Sequence, residues 1–225
     1  MLSDDLLHAA GLWHREHCEL APGVHLLRGH ALDELEPLLA ALRAVIAAAP
    51  LRFMRTPGGR RMAVSMTNCG RYGWVSDARG YRYSPCDPLS GSPWPALPAV
   101  LEALAVRAAA CAGFADFAPD ACLLNRYRPG AGMGLHQDRD ERDFTQPIVS
   151  ISLGLPATFL LGGLQRSQRP RPLRLEHGDV LVWGGPARLF HHGVSPLREG
   201  CHPRLGAQRL NLTLRCSGLD APGLR

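Results

Sequence analysis

The run RLNLTLR, residues 209–215, alternates strictly: Arg209, Asn211, Thr213 and Arg215 fall on one side, Leu210, Leu212 and Leu214 on the other. A period of two is the mark of a β-strand with one apolar and one polar face. Here the polar face is cationic, and two readings stand. Either this is an edge strand with a solvated face, or the arginines point inward and clamp carboxylates by bidentate pairing. Upstream lie further short apolar runs broken by turn residues: ACLLNRY (121–127), PIVSISLG (147–154), ATFLL (157–161), PLRLEHGDVLVWG (172–184) and RLFHHGV (188–194). Six such runs predict an antiparallel sandwich or barrel.

Two helices accompany them. Leu35, Leu38, Leu39, Leu42, Val45 and Ile46 recur at helical spacing behind Asp33, a candidate cap, and Pro50 ends the pattern. A second helix is predicted from Pro98 to Ala112, with Val100, Leu101, Leu104 and Ala108 on one face and Gly113 as its stop. The expected class is α+β, mainly β, with both helices supporting one face of the sheet. Between the helices, residues 52–92 differ in kind: rich in Gly, Arg and Ser, and carrying Tyr72, Trp74, Tyr81 and Tyr83. The chain therefore reads as one domain. Residues 1–51 are an arm, with a short strand near Val24–Leu27, and the first helix. Residues 52–92 are an insertion over the mouth of the sheet, and 93–225 hold the second helix and the β core.

At 225 residues the chain can bury a proper core without disulfide or zinc staples. Its net charge is +5, and all 25 of its basic residues are arginine. The absence of lysine excludes a Walker-type phosphate loop, a pyridoxal-phosphate Schiff base and the kinase fold. Most of the arginines read as compositional drift; the basic balance permits an anionic partner without proving one. Seven cysteines without a CxxC pair exclude a zinc ribbon and a CxxC-type zinc deaminase. Neither HExxH nor GxSxG occurs, and GAGMG (130–134) is followed by Leu135 where a dinucleotide fingerprint needs glycine. The acidic start lacks the pattern of a signal peptide, and no apolar run reaches the ~20 residues that span a bilayer. With an odd set of thiols, these features predict a cytoplasmic location and no membrane partner.

The strongest local chemistry is LHQD, residues 135–138. His136 and Asp138 are two apart, so on a strand they share a side. RLFHHGV offers a third ligand, either His191 or His192. Two histidines and a carboxylate that leave open positions form the facial triad of non-haem Fe(II) oxygenases. A dicarboxylate co-substrate is the natural guest for the arginine strand, and Asn125 and Tyr127 share a face on the neighbouring run.

Taken together, NRYRPGAGMGLHQDRDE, PIVSISLGLPATF, LEHGDVLVWGG, RLFHHGV and RLNLTLR resemble the AlkB family of Fe(II)- and 2-oxoglutarate-dependent dioxygenases. TPGGRRMAVSMTNCGRYGW and GYRYSPCDP match as well, so the resemblance runs in order from Thr56 to Arg215. It implies a double-stranded β-helix, the cupin-like jelly roll, with the insertion serving as a nucleotide-recognition lid. It implies His136, Asp138 and His192 as iron ligands, which resolves the choice left open between His191 and His192. It assigns 2-oxoglutarate to Arg209, with Asn125, Tyr127, Met133, Asn211 and Arg215 completing the site. On the substrate side it implies that Trp74 stacks on the target base opposite His136. Thr56 and Tyr81 contact the backbone, Asp140 lies near the exocyclic amine and Arg166 at the rim. Arg60 and Arg139 depart from the family pattern, which has tyrosine and lysine there.

The implied activity is oxidative dealkylation of bases such as 1-methyladenine and 3-methylcytosine in DNA, preferentially single-stranded, with RNA as a further substrate. O2 and 2-oxoglutarate are consumed, succinate and CO2 form, an aldehyde leaves, and the enzyme works as a monomer. Competing readings are a related dioxygenase acting on RNA or a small substrate, a non-catalytic nucleic-acid binder on the same fold, and a redox-inert cupin. The arginine pair is what the last of these cannot explain.

Overall fold

The alternation seen in RLNLTLR continues across its neighbours, and it builds the molecule. The computed structural model describes residues 16–220. In chain order the elements are β1 (His17–Ala21), β2 (Val24–Leu27), α1 (Leu35–Ala48), β3 (Arg52–Arg55), β4 (Arg61–Gly70), β5 (Gly73–Asp77), β6 (Gly80–Ser84) and α2 (Ala99–Cys111). There follow β7 (Ala121–Tyr127), β8 (Met133–His136), β9 (Ile148–Gly154), β10 (Ala157–Leu161), β11 (Arg171–Leu175), β12 (Val180–Trp183), β13 (His192–Val194) and β14 (Arg209–Arg215). Eight strands form the main sheet in the order β1-β2-β12-β9-β14-β7-β4-β3, and four form a smaller one, β11-β10-β13-β8. The pairings in both are antiparallel.

β14 lies between β9 and β7, not at an edge, and every one of its residues is buried. Its leucines join Val149, Ile151 and Leu153 of β9, Cys122 and Leu124 of β7, and Val180 and Val182 of β12 in a core packed against α1 and α2. The alternate residues of these strands face the smaller sheet, where Leu181, Trp183, Phe159, Leu161 and Val194 form a second core. Both faces of the main sheet are therefore covered, as in a jelly roll whose larger sheet also carries helices.

α1 starts at Leu35 with Glu34 as its N-cap and no side-chain cap, so Asp33 stands one residue too early for the role expected of it. PLRLEHGDVLVWG is not one strand: a tight turn at Gly178 (φ +89°) sends β11 to the small sheet and β12 to the main one. Residues 52–92 also divide. β3 and β4 extend the main sheet, and β5 and β6 form a separate two-stranded hairpin beside it. The first 15 residues of the expected arm lie outside the described part.

Candidate metal centre and nucleotide cavity

Between the two sheets opens a cavity of about 610 Å³. At its inner wall β8 and β13 pair so that His136 and His192 are direct cross-strand neighbours. Their rings lie 4.4 Å apart between centroids. β8 ends at His136, and the chain then bends so that Asp138 reaches both rings. Its Oδ1 is 3.6 Å from His136 Nε2 and its Oδ2 is 3.6 Å from His192 Nε2. Gln137, between them, donates to Leu189 O at 2.6 Å, tying this segment to the approach of β13. Gly193 permits the close pairing: a Cβ there would meet Met133 O at 2.7 Å.

Each imidazole places Nδ1 against a backbone carbonyl, His136 on Gly134 O at 2.9 Å and His192 on Phe190 O at 3.0 Å. That fixes the tautomer with the proton on Nδ1 and leaves Nε2 as a lone pair aimed at the shared point. Desolvation and the adjacent His192 lower the His136 pKa to about 4, so its ring is neutral at pH 7. Burial opposes ionisation of Asp138, but Arg215 and the two histidines hold its carboxyl well below the ordinary range. Three ligand atoms within 4.8 Å of one another, two imidazole nitrogens and one carboxylate oxygen, suit a divalent first-row metal held on one face. His191 bonds Gly163 O at 3.1 Å and takes no part.

The two arginines of β14 differ. Arg215 is committed: its Nη2 lies 2.6 Å from Asp138 Oδ2, its Nε 3.0 Å from the same oxygen and 3.5 Å from Glu141 Oε1. Arg209 is 1% exposed; its Nη2 donates to Ser152 Oγ at 3.0 Å and its guanidinium also meets the Tyr127 hydroxyl, with no carboxylate beside it among the described residues. Its Nε and Nη1 are buried without a hydrogen bond, and so is Asn125 Oδ1. A buried guanidinium with idle donors is costly unless an anion meets it. Arg209 therefore marks a place built for a carboxylate. Tyr127, under the Arg209 guanidinium at 5.2 Å, and Met133, 3.9 Å from the Tyr127 hydroxyl, line the same wall. Asn211 also lines it, though its amide is already spent on Ser150 Oγ and Ile151 O.

At the mouth, Trp74 on β5 and Tyr81 on β6 stack at 5.6 Å and 13°. Trp74 Nε1 donates to Asp140 Oδ2 at 2.7 Å. Thr56 lines the rim within a turn closed by its own hydroxyl, which accepts from Arg60 N at 3.2 Å. Arg166 does not join them: it sits in the exposed run 164–169, outside the cavity lining.

Sequence reasoning missed the groups that hold these residues in place. Glu141, buried, accepts from Tyr83 Oη at 2.5 Å and from Arg188 Nη2 at 3.0 Å. Arg188 also donates to Asp138 O and Gln146 O. Asn68 clamps Trp74 by bonding both its N–H and its carbonyl, each at 3.0 Å. Phe159 stacks on His192 at 5.7 Å and Trp183 meets it edgewise at 5.0 Å. An acid beside the HxD motif was visible in the sequence; a partner 47 positions further on, as Arg188 is to Glu141, was not.

Comparison with known proteins agrees with this geometry. Residues 23–215 match the model of the 2OG-Fe(II) oxygenase superfamily. The chain is 53% identical over 199 residues to the alpha-ketoglutarate-dependent dioxygenase AlkB of Escherichia coli strain K12, covering 88% of this chain and 92% of that one. It is 45% identical over 201 residues to an AlkB homolog of Caulobacter vibrioides strain NA1000, covering 87% and 88%. The solved structure of OsALKBH1 superposes with a TM-score of 0.77 at 28% identity, covering 89% of this chain and 99% of that one.

Proposed function

We infer the function from one premise: this chain belongs to the 2OG-Fe(II) oxygenase superfamily and, within it, to the AlkB family. It is an Fe(II)- and 2-oxoglutarate-dependent dioxygenase that acts on nucleic acid by oxidative dealkylation of bases. The observation that carries the reading is Arg209, a buried cation with idle donors beside a two-histidine, one-carboxylate cluster. A redox-inert metal site has no use for it, whereas an oxidase fed by a dicarboxylate does.

In this reading His136, Asp138 and His192 hold the iron on one face and leave its other positions for co-substrates. Bound there, iron with 2-oxoglutarate and O2 supplies the oxidation of an N-alkyl carbon, with succinate, CO2 and an aldehyde leaving. The remaining work belongs to the protein. Arg209 receives the distal carboxylate, Asn125 and Tyr127 border it, and Met133 closes the apolar side. Arg215 neutralises and orients Asp138, so the ligand keeps one rotamer while the metal is loaded. Trp74 takes one face of the extruded base, with His136 opposite. Asp140, already oriented by the Trp74 indole, accepts from the exocyclic amine. Tyr81 and Thr56 meet the backbone at the rim.

Residues 52–92 act as the recognition lid of a single catalytic domain, with β5–β6 as the part that touches the base. The preferred substrate is alkylated single-stranded DNA, since the stacked Trp74 and Tyr81 at the mouth suit an unpaired base. The cavity is complete within one chain, which supports a monomer, and seven free thiols support a cytoplasmic location. Among the described residues no helix is long and apolar enough to cross a membrane.

The test combines enzyme, Fe(II), 2-oxoglutarate and an oligonucleotide bearing 3-methylcytosine without oxygen, then admits air. Succinate and formaldehyde appearing in step with loss of the methyl group support the reading. Consumption of 2-oxoglutarate with the methyl group retained on DNA and RNA alike would overturn the nucleic-acid assignment.

A further inference from the structure

Among the arginines outside the site, some are paired and some are not. Arg28, Arg52, Arg82 and Arg107 each pair with a carboxylate. Arg55, Arg61, Arg126 and Arg128 make no ion pair among the described residues, and they sit together. Register places Phe53 opposite Ser65, Ser65 opposite Arg126, and Arg55 opposite Arg61. Because Met54, Val64 and Tyr127 face the core between the two sheets, these residues occupy the other face of the same strands. The row continues to Leu210, which is covered by the helical core, whereas Phe53 remains 40% exposed.

We propose that this outer face of β3, β4 and β7, carrying Phe53, Arg55, Arg61, Arg126 and Arg128, binds the strand that flanks the target nucleotide. The proposal rests on the nucleic-acid reading above and adds a second binding surface to it. Three observations carry it. First, the Arg61 guanidinium carbon stands 3.7 Å from the centroid of the exposed Phe53 ring, making a flat cationic platform on which a base can stack. Second, the arginines have only neutral partners: Arg55 donates to Gly59 O and Arg126 to Ser65 Oγ. Burial and the repulsion of Arg128 both weigh against the charge of Arg126, and no carboxylate offsets them. Phosphodiesters do. Third, one end of the surface reaches the mouth of the cavity: Thr56, which lines the mouth, follows Arg55 directly and begins the turn that leads to Arg61. A strand leaving the cavity over the turn at 56–60 meets these cations within a few nucleotides. An acidic peptide would satisfy the charges and leave the aromatic platform unused, so a polynucleotide is the better match.

The experiment compares the intact enzyme with Arg61→Glu/Arg128→Glu and, separately, Phe53→Ala. The substrates are a methylated trinucleotide, too short to cross the rim, and a methylated strand of about 20 nucleotides. For the double variant, KM on the long strand should rise about tenfold at low salt. The dependence of log K on log salt should flatten by about 0.7 for each phosphate no longer neutralised. Phe53→Ala should raise that KM about fivefold with little change in salt dependence. Turnover of the trinucleotide should keep its wild-type kcat and KM in both, which also shows that the variants fold. Unchanged KM and salt dependence on the long strand overturn the surface. A loss on the trinucleotide overturns it too, because the effect would then run through the cavity. If the wild-type enzyme demethylates neither substrate, the failure lies with the functional reading instead.

Discussion

At the floor of the cavity Asp138, Glu141, Arg188 and Arg215 form a chain of charged groups almost out of reach of water. At its mouth Trp74 and Tyr81 lie on each other across a two-stranded hairpin, and Tyr81 is 47% exposed. The floor draws its side chains from β14, from the segment after β8 and from the segment before β13, so several elements must agree before any one rotamer is set. The mouth rests on a local hairpin, fastened to the main sheet through the Asn68 clamp on Trp74 and to the floor through the Tyr83 hydroxyl on Glu141. Gly73 lets that hairpin approach, since a Cβ there would meet the Trp94 ring at 2.4 Å. A buried, ion-paired floor fits chemistry that needs fixed geometry, and an exposed aromatic mouth fits a substrate that must enter and leave.

Four experiments can break or sharpen that contrast. Asp138→Ala should remove Fe(II) binding in an anaerobic titration and with it all measurable turnover; undiminished formaldehyde release would refute the metal assignment. Glu141→Ala leaves Arg188 and Arg215 buried without their shared carboxylate, and should destabilise the fold by about 3–5 kcal/mol in urea melts. A loss under about 1 kcal/mol would mean that the floor is not tied together as described. Arg209→Met should raise the KM for 2-oxoglutarate on the order of 100-fold, through loss of charge-assisted hydrogen bonds. It should also leave the melting temperature without 2-oxoglutarate unchanged or higher, because it removes an unmatched buried charge. A lower melting temperature would show that Arg209 serves the fold. Trp74→Ala should weaken nucleic-acid binding about tenfold and leave both stability and 2-oxoglutarate KM near wild type. An equal loss of stability would place the hairpin with the floor.

Much of this was legible in the chain. The strand runs carried the fold because residues facing a core must be apolar wherever the backbone has period two. HxD was legible because both ligands come from one short segment. The separation of Arg209 from Arg215 was not. Both face the cavity at equivalent strand positions, and only the arrival of Asp138 and Glu141 from another element makes one a ligand's partner and leaves the other idle. The same reason hid Arg188, which reads as one arginine among many until its carboxylate is brought to it. Arg166, expected at the rim, stays exposed and outside the cavity lining in this structure.

By itself, then, the sequence determined the strands, their two faces and the types of ligand available, because periodicity and side-chain chemistry are local properties. Which strand is central, which histidine of an adjacent pair turns inward and which arginine stays unpaired were decided by tertiary structure. Each of those depends on a partner that is distant along the chain and becomes a neighbour only when the two sheets close.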